Sequence, residues 1–259
     1  MTRLITEGKF CSLPRLKNYS DIKILDEDTL IKKTIYGDPI FLKELSKIKI
    51  NKVVTPINVY RMLHTTCYFY TMTYYKKFQT LNNFGLYEHN FSDKEILLFF
   101  KNILEKVREI HKFGLSSGDM HIGNILIDEN LDYRFIDFDY ATTKNFIGHM
   151  VSCGSLFLDN YDQKTLDSNY STISQVELSD KLNLWNLILN CMKYGSFPDG
   201  RYQIERVTDF RMFDMPSSID KKLSSIFNLK ELPKTDDYFL EELDTLIKLD
   251  YKLPYRKKK

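Results

Sequence analysis

The residues best suited to chemistry sit in Ser117-Gly118-Asp119-Met120-His121-Ile122-Gly123-Asn124 and, further on, in Phe135-Ile136-Asp137-Phe138-Asp139. Asp119 and Asn124 are five residues apart, and Asp137 follows Asp119 by eighteen. Between them, Ile125–Ile127 and Tyr133–Ile136 read as short strands joined by Asp128–Asp132. A hairpin of those strands brings Asn124 and Asp137 to one edge, since one precedes its first strand and the other follows its second. Two carboxylates and an amide oxygen converging there suit a hard cation. Mg²⁺ fits, because it keeps waters and takes few protein ligands beside phosphates. Asp and Asn also form turns by bonding nearby backbone, so each residue alone has a structural explanation. The ordered set is what points to chemistry.

The flanking elements change character near residue 80. Before it, Ile22–Leu25 and Leu30–Ile35 flank Asp26-Glu27-Asp28-Thr29 and predict a β-hairpin. Pro39 to Ile48 carries apolar residues near helical spacing, and Val53–Met62 and Cys67–Tyr75 read as strands. After it, Ser92 stands three residues before Glu95, the spacing of a capping box. Ile96, Phe99, Phe100, Ile103, Leu104, Val107 and Ile110 then form one helical face, with Gly114 as its stop. A second helix is predicted over about Ser179 to Tyr194, apolar on most faces and therefore buried on several sides. Residues 200–259 read as short helices and loops. The expected organisation is a strand-rich lobe over 1–75 and a helical lobe over 76–259 with the catalytic loop and metal site. Together they make one domain with a ligand cleft between its lobes.

Composition narrows the function classes. With 259 residues and 43% hydrophobic content, the chain can bury a core without disulfides or a structural metal. Lys+Arg at 37 against Asp+Glu at 35 leaves +2, which gives no overall pull toward nucleic acid or an acidic membrane. The basic tail Arg256–Lys259 reads as a solvated end. No run is apolar and long enough to span a bilayer, and the first residues turn polar too soon for a signal peptide. Cys11, Cys67, Cys153 and Cys191 form no C-x-x-C pair, so reduced thiols in a cytoplasm are the simplest reading.

At the residues that open this section, the sequence resembles the protein kinase-like phosphotransferase superfamily. Its pattern is D-x-x-x-x-N followed by D-F-G, and Asp119, Asn124 and Asp137-Phe138 fall on it. Ile31-Lys32 resembles the end of the V-A-I-K strand, and Glu44 resembles the helix glutamate that pairs with that lysine. Met72-Thr73-Tyr74-Tyr75 looks like the gatekeeper and the hinge that holds adenine. Cys153-Gly154-Ser155 looks like the end of an activation segment, and Asp180 on the Trp185 helix like a buried anchoring aspartate. The resemblance covers about residues 20–195. It implies an α+β fold of bilobal kinase type, with a small antiparallel-sheet lobe and a larger helical one, and ATP and Mg²⁺ as cofactors. It also implies roles. Asp119 accepts the hydroxyl proton and orients the acceptor. Asn124 and Asp137 hold Mg²⁺ against the phosphates. Lys32 contacts the α/β-phosphates and pairs with Glu44. Lys33 competes for that part, but alternation lets only one of the two face inward, and the apolar Ile31 before Lys32 favours Lys32.

Four departures bear on function. No G-x-G-x-x-G precedes the hairpin, and Leu16-Lys17-Asn18-Tyr19-Ser20 stands where a phosphate-covering loop belongs. His121 stands two after Asp119, where many protein kinases have lysine, and D-x-H-x-x-N looks more like aminoglycoside- and choline-type kinases. Its imidazole could donate to the γ-phosphate. Gly118 replaces an arginine that often receives an activation-loop phosphate, which implies competence without that phosphorylation. Asp139 replaces the glycine of D-F-G and reads as an outer carboxylate or a turn former. The leading expectation is transfer of the γ-phosphoryl group to a hydroxyl acceptor, Ser or Thr of a protein. The alternatives are a small-molecule kinase, for which Asp199, Asp209 and Asp214 could recognise a cationic substrate, and a pseudokinase binding module.

Overall fold

A computed structural model of the chain describes residues 3–5, 22–34, 39–62, 68–139, 141–143, 173–194 and 238–253. The readings placed on 16–20, 153–155, 199, 209, 214 and 256–259 lie outside these residues. In chain order the elements are β1 (Arg3–Ile5), β2 (Ile22–Ile24), β3 (Thr29–Thr34), α1 (Pro39–Leu45), β4 (Asn58–Met62), β5 (Tyr68–Thr73), β6 (Gln79–Thr80) and α2 (Leu81–Phe84). They continue with α3 (Asp93–Lys112), β7 (Leu115–Ser116), a 3₁₀ turn at Ile122–Asn124, β8 (Ile125–Ile127), β9 (Tyr133–Phe135), β10 (Thr142–Thr143), α4 (Ile173–Tyr194) and α5 (Tyr238–Lys248). The architecture is mixed α/β with small, mainly antiparallel sheets. The chain divides into two compact units, Met1–Gln79 with Ile125–Tyr140, and Thr80–Asn124 with Ala141–Lys259.

The first unit is built on a sheet of order β1-β4-β5-β3-β2, antiparallel except where β1 joins β4. The predicted hairpin forms β2 and β3, with Ile22 opposite Lys32 and Ile24 opposite Leu30. Asp26 Oδ1 accepts the Asp28 N–H at 3.0 Å, an Asx turn that closes its loop. Pro39 opens α1, where its missing N–H costs nothing. Phe41, Leu42 and Leu45 are buried from α1, and Leu42 packs with Val54, Tyr70 and Met72 in the unit's core. β4 starts at Asn58 and not at Val53, because Pro56 cannot donate to a ladder.

β8 and β9 pair antiparallel with Ile125 opposite Phe135. The hairpin belongs to the first unit, whereas the sequence reading assigned it to the helical lobe. The main chain gives the reason. Val54 N–H donates to the Phe135 carbonyl at 2.8 Å, and Phe135 N–H to the Lys52 carbonyl at 2.8 Å.

The second unit is helical. Ser92 Oγ accepts the Glu95 N–H at 3.2 Å and the Glu95 carboxylate accepts the Ser92 N–H at 2.7 Å, so the predicted capping box starts α3. Gly114, at φ 75°, ends it, with its N–H on the His111 carbonyl. The apolar stripe of α3, from Ile96 to Ile110, is buried, and α3 packs on α5 and α4. Lys101 on α3 ties to Asp244 on α5 at 2.6 Å. α4 begins six residues before the predicted start, and Trp185 at its middle is fully buried against Phe239, ring centroids 4.8 Å apart. Among the described residues, no helix is long and apolar enough to cross a membrane.

Burial pushes the Cys191 thiol far above its ordinary range, so it is inert while α4 stays packed. Iodoacetamide is expected to leave Cys191 unmodified in the native protein and to label it in denaturant, read by mass spectrometry. Ile103→Ala removes a side chain with no solvent exposure and is expected to cost about 2–5 kcal/mol in urea unfolding.

Candidate functional site

Some of the predicted site residues come together in each unit, Lys32 with Asp137 in the first and Asp119 with His121 and Asn124 in the second. In the first, Lys32 on β3 lies opposite Tyr70 on β5 in the sheet register. The Lys32 side chain is 6% exposed, while the neighbouring Lys33 is half-buried. Lys32 Nζ donates to Asp137 Oδ1 at 2.5 Å, across 105 residues of sequence. It lies 3.0 Å from Asp139 Oδ2 as well. Tyr70 Oη donates to Asp139 Oδ1 at 2.5 Å, so Asp139 bridges the phenol and the ammonium. Desolvation by burial alone would lower the Lys32 pKa, but the charges of Asp139 and then Asp137 outweigh it and hold the ammonium above its ordinary range. Burial, and next Asp139 and Asp137, raise the Tyr70 hydroxyl well above its ordinary value. The phenol therefore stays a donor.

Asp137 has φ 62°, in the left-handed region that costs a non-glycine residue about 1–2 kcal/mol. Strain of this kind clusters at functional sites, and here an ion pair holds the residue. Asp139, read from the sequence as an outer carboxylate or a turn former, is a buried partner of Lys32. Glu44 corrects an expectation. Its carboxylate takes Lys47 at 2.5 Å, both side chains exposed, and it does not meet Lys32. The physical reason is local. Glu44 and Lys47 lie three apart on one helical turn, and a buried carboxylate already answers Lys32. Met72 is buried in the core of the unit, and Thr73 pairs with Thr29 across the sheet. Tyr74 N–H donates to the Asp28 carbonyl at 2.7 Å, which ties the end of β5 to the β2–β3 loop.

In the second unit the loop from Ser117 to Asn124 is held from two sides. Asp180, buried on α4, accepts Ser116 Oγ at 2.7 Å, Ser117 N–H at 2.7 Å and Gly118 N–H at 3.1 Å. His111 Nε2 lies 3.2 Å from the same carboxylate. Gly118 has φ 73°, which an arginine at this position could adopt only with strain. The departure from the family pattern thus has a backbone reason. On the other side, Asn124 Nδ2 donates to the Asp119 carbonyl at 2.9 Å and to Asp119 Oδ2 at 3.3 Å. The Gly123 N–H donates to His121 Nδ1 at 3.0 Å, which puts the proton of the neutral ring on Nε2, 3.5 Å from Asp119 Oδ2. A Cβ on Gly123 would come within 2.8 Å of that ring, so glycine permits the approach.

Within the second unit, Asn124 spends its amide nitrogen on Asp119. In the first unit, the Asp137 side chain is 28% exposed. Among the described residues, no three or more His, Cys, Asp or Glu side chains group to hold a metal.

Sequence reasoning missed the parts played by Tyr70, Ser116 and His111. Their partners lie 69, 64 and 69 residues away, and no local pattern signals such bonds. Asp180→Ala leaves one hydroxyl and two main-chain N–H groups buried without an acceptor. It is expected to cost about 3 kcal/mol or more in urea unfolding.

No family profile matches the chain. Over 187 residues, 70% of this chain, it is 26% identical to a probable serine/threonine-protein kinase, a KIN1 homolog, from Enterocytozoon bieneusi. The match spans 27% of that relative's length. This distant similarity supports a protein kinase-like relationship and suggests phosphotransfer.

Proposed function

We propose that this chain is an ATP- and Mg²⁺-dependent phosphotransferase that moves the γ-phosphoryl group to a hydroxyl acceptor, Ser or Thr of a protein. The observation that carries the reading is the partly buried Lys32–Asp137 pair, a cation and an anion joined across 105 residues at the two positions the motif assigns to phosphate and metal. A partly buried pair of this kind adds little stability, because desolvation offsets its attraction. Its presence is better explained by use.

Lys32 would bind the α/β-phosphates. Asp137 and the Asn124 amide oxygen would hold Mg²⁺, which supplies charge neutralisation at the phosphates. Asp119 would orient the acceptor hydroxyl and take its proton. Asn124 steadies the Asp119 carboxylate through Nδ2, and His121 faces it through Nε2. The chain's own contribution is therefore positioning and fixed charge, the main terms in phosphoryl transfer. The similarity to a probable serine/threonine kinase supports a protein acceptor. The ring of His121, set against Asp119 in a D-x-H-x-x-N loop, favours a second reading, a small-molecule hydroxyl acceptor of aminoglycoside or choline type.

Incubation with γ-labelled ATP and Mg²⁺, with protein substrates in one arm and amino alcohols in the other, tests both activity and acceptor. Asp119→Ala is expected to slow transfer by about 10²–10⁴, and Asp137→Ala to abolish it. Wild-type-like transfer by either variant would refute the assignment. Mutating Lys32 and Lys33 separately should abolish transfer only for Lys32.

A further inference from the structure

Lys32 has one positive charge and two carboxylate partners. If Asp137 turns to a metal, a lysine with no other partner would be left as an uncompensated buried cation, which is strongly unfavourable. The expected second partner, Glu44, is exposed and occupied by Lys47. Asp139 fills that place. Its side chain is 6% exposed against 28% for Asp137, so of the two carboxylates Asp137 is the one open to solvent. Asp139 is itself held from behind by Tyr70 Oη at 2.5 Å, a hydroxyl that burial keeps protonated. Tyr70 is in turn fixed by its place on β5, opposite Lys32 on the paired strand β3. The relay Tyr70–Asp139–Lys32 is thus complete without Asp137 and without Glu44.

We propose that Asp139, braced by the Tyr70 hydroxyl, is the positioning residue that aims Lys32 at the nucleotide phosphates, the part the motif gives to a helix glutamate. The proposal rests on the phosphotransferase reading. It explains why a carboxylate stands at position 139, where a glycine would leave Lys32 only Asp137. It also lets Asp137 leave Lys32 without freeing it.

The test is nucleotide affinity of the full chain measured in EDTA, where no metal contributes, for ATP and adenosine in parallel. Asp139→Asn keeps the shape and removes the charge. It is expected to raise the ATP Kd about tenfold, the worth of one charge-assisted hydrogen bond, and to leave the adenosine Kd within about twofold. Tyr70→Phe is expected to raise the ATP Kd about threefold, and the double variant to be no weaker than Asp139→Asn alone. Glu44→Gln is expected to change neither. Circular dichroism checks that each variant is folded; if Asp139→Asn is not, Tyr70→Phe is judged by the same split between ATP and adenosine. Equal losses for ATP and adenosine make Asp139 a mere support of the fold and overturn the proposal. An unchanged ATP Kd in both single variants, or a loss in Glu44→Gln, overturns it as well and leaves phosphotransfer standing. A wild-type chain that binds no ATP with or without Mg²⁺ overturns both.

Discussion

One ammonium group buried against two carboxylates sets the terms for the first unit. A lysine with its side chain 6% exposed is tolerable only if its charge is answered at close range. The answer comes from a segment more than a hundred residues later in sequence, so the hairpin of β8 and β9 must be docked on the sheet that carries Lys32. Main-chain bonds between residues 52–54 and Phe135 do the docking. The left-handed backbone at Asp137 is a further cost of the same arrangement. Position, strain and burial all serve one charge.

The second unit solves a different problem, the shape of a short loop. Ser117 to Asn124 has two apolar anchors in the core, Met120 and Ile122. Beside them it is fixed by polar bonds to a rigid neighbour, with α4 supplying Asp180, and by internal bonds from Asn124 and Gly123. Two glycines serve this loop for different reasons. Gly118 supplies a positive φ, and Gly123 leaves room for the His121 ring.

Much of this was legible beforehand. The capping box of Ser92 and Glu95, the stripe of α3 and the two short hairpins are written in local spacing, and the elements formed with small shifts at their ends. β4 shrank because of Pro56, a local signal that the apolar run concealed. Strand alternation allowed only one of Lys32 and Lys33 to face inward, and the apolar Ile31 favoured Lys32. What the sequence could not show was non-local partnership. Glu44 sits at the expected place on a helix, yet its neighbour Lys47 claims it. Asp139 looked like an outer ligand or a turn residue, because nothing near it in sequence names Tyr70 as its donor. The grouping of residues 125–140 with the first unit was hidden for the same reason, since bonds that tie it there run to residues 52–54.

The bonds from Asp180 reach the main chain at Ser117 and Gly118. A main-chain N–H is common to every amino acid but proline, so at Ser117 the contact does not depend on the side chain, while at Gly118 the positive φ is what restricts the residue. The loop is also dependent on a helix that begins about fifty residues downstream. Loss of function in this protein should consequently map to the interior of that helix as readily as to the motif itself, through changes that never approach a substrate.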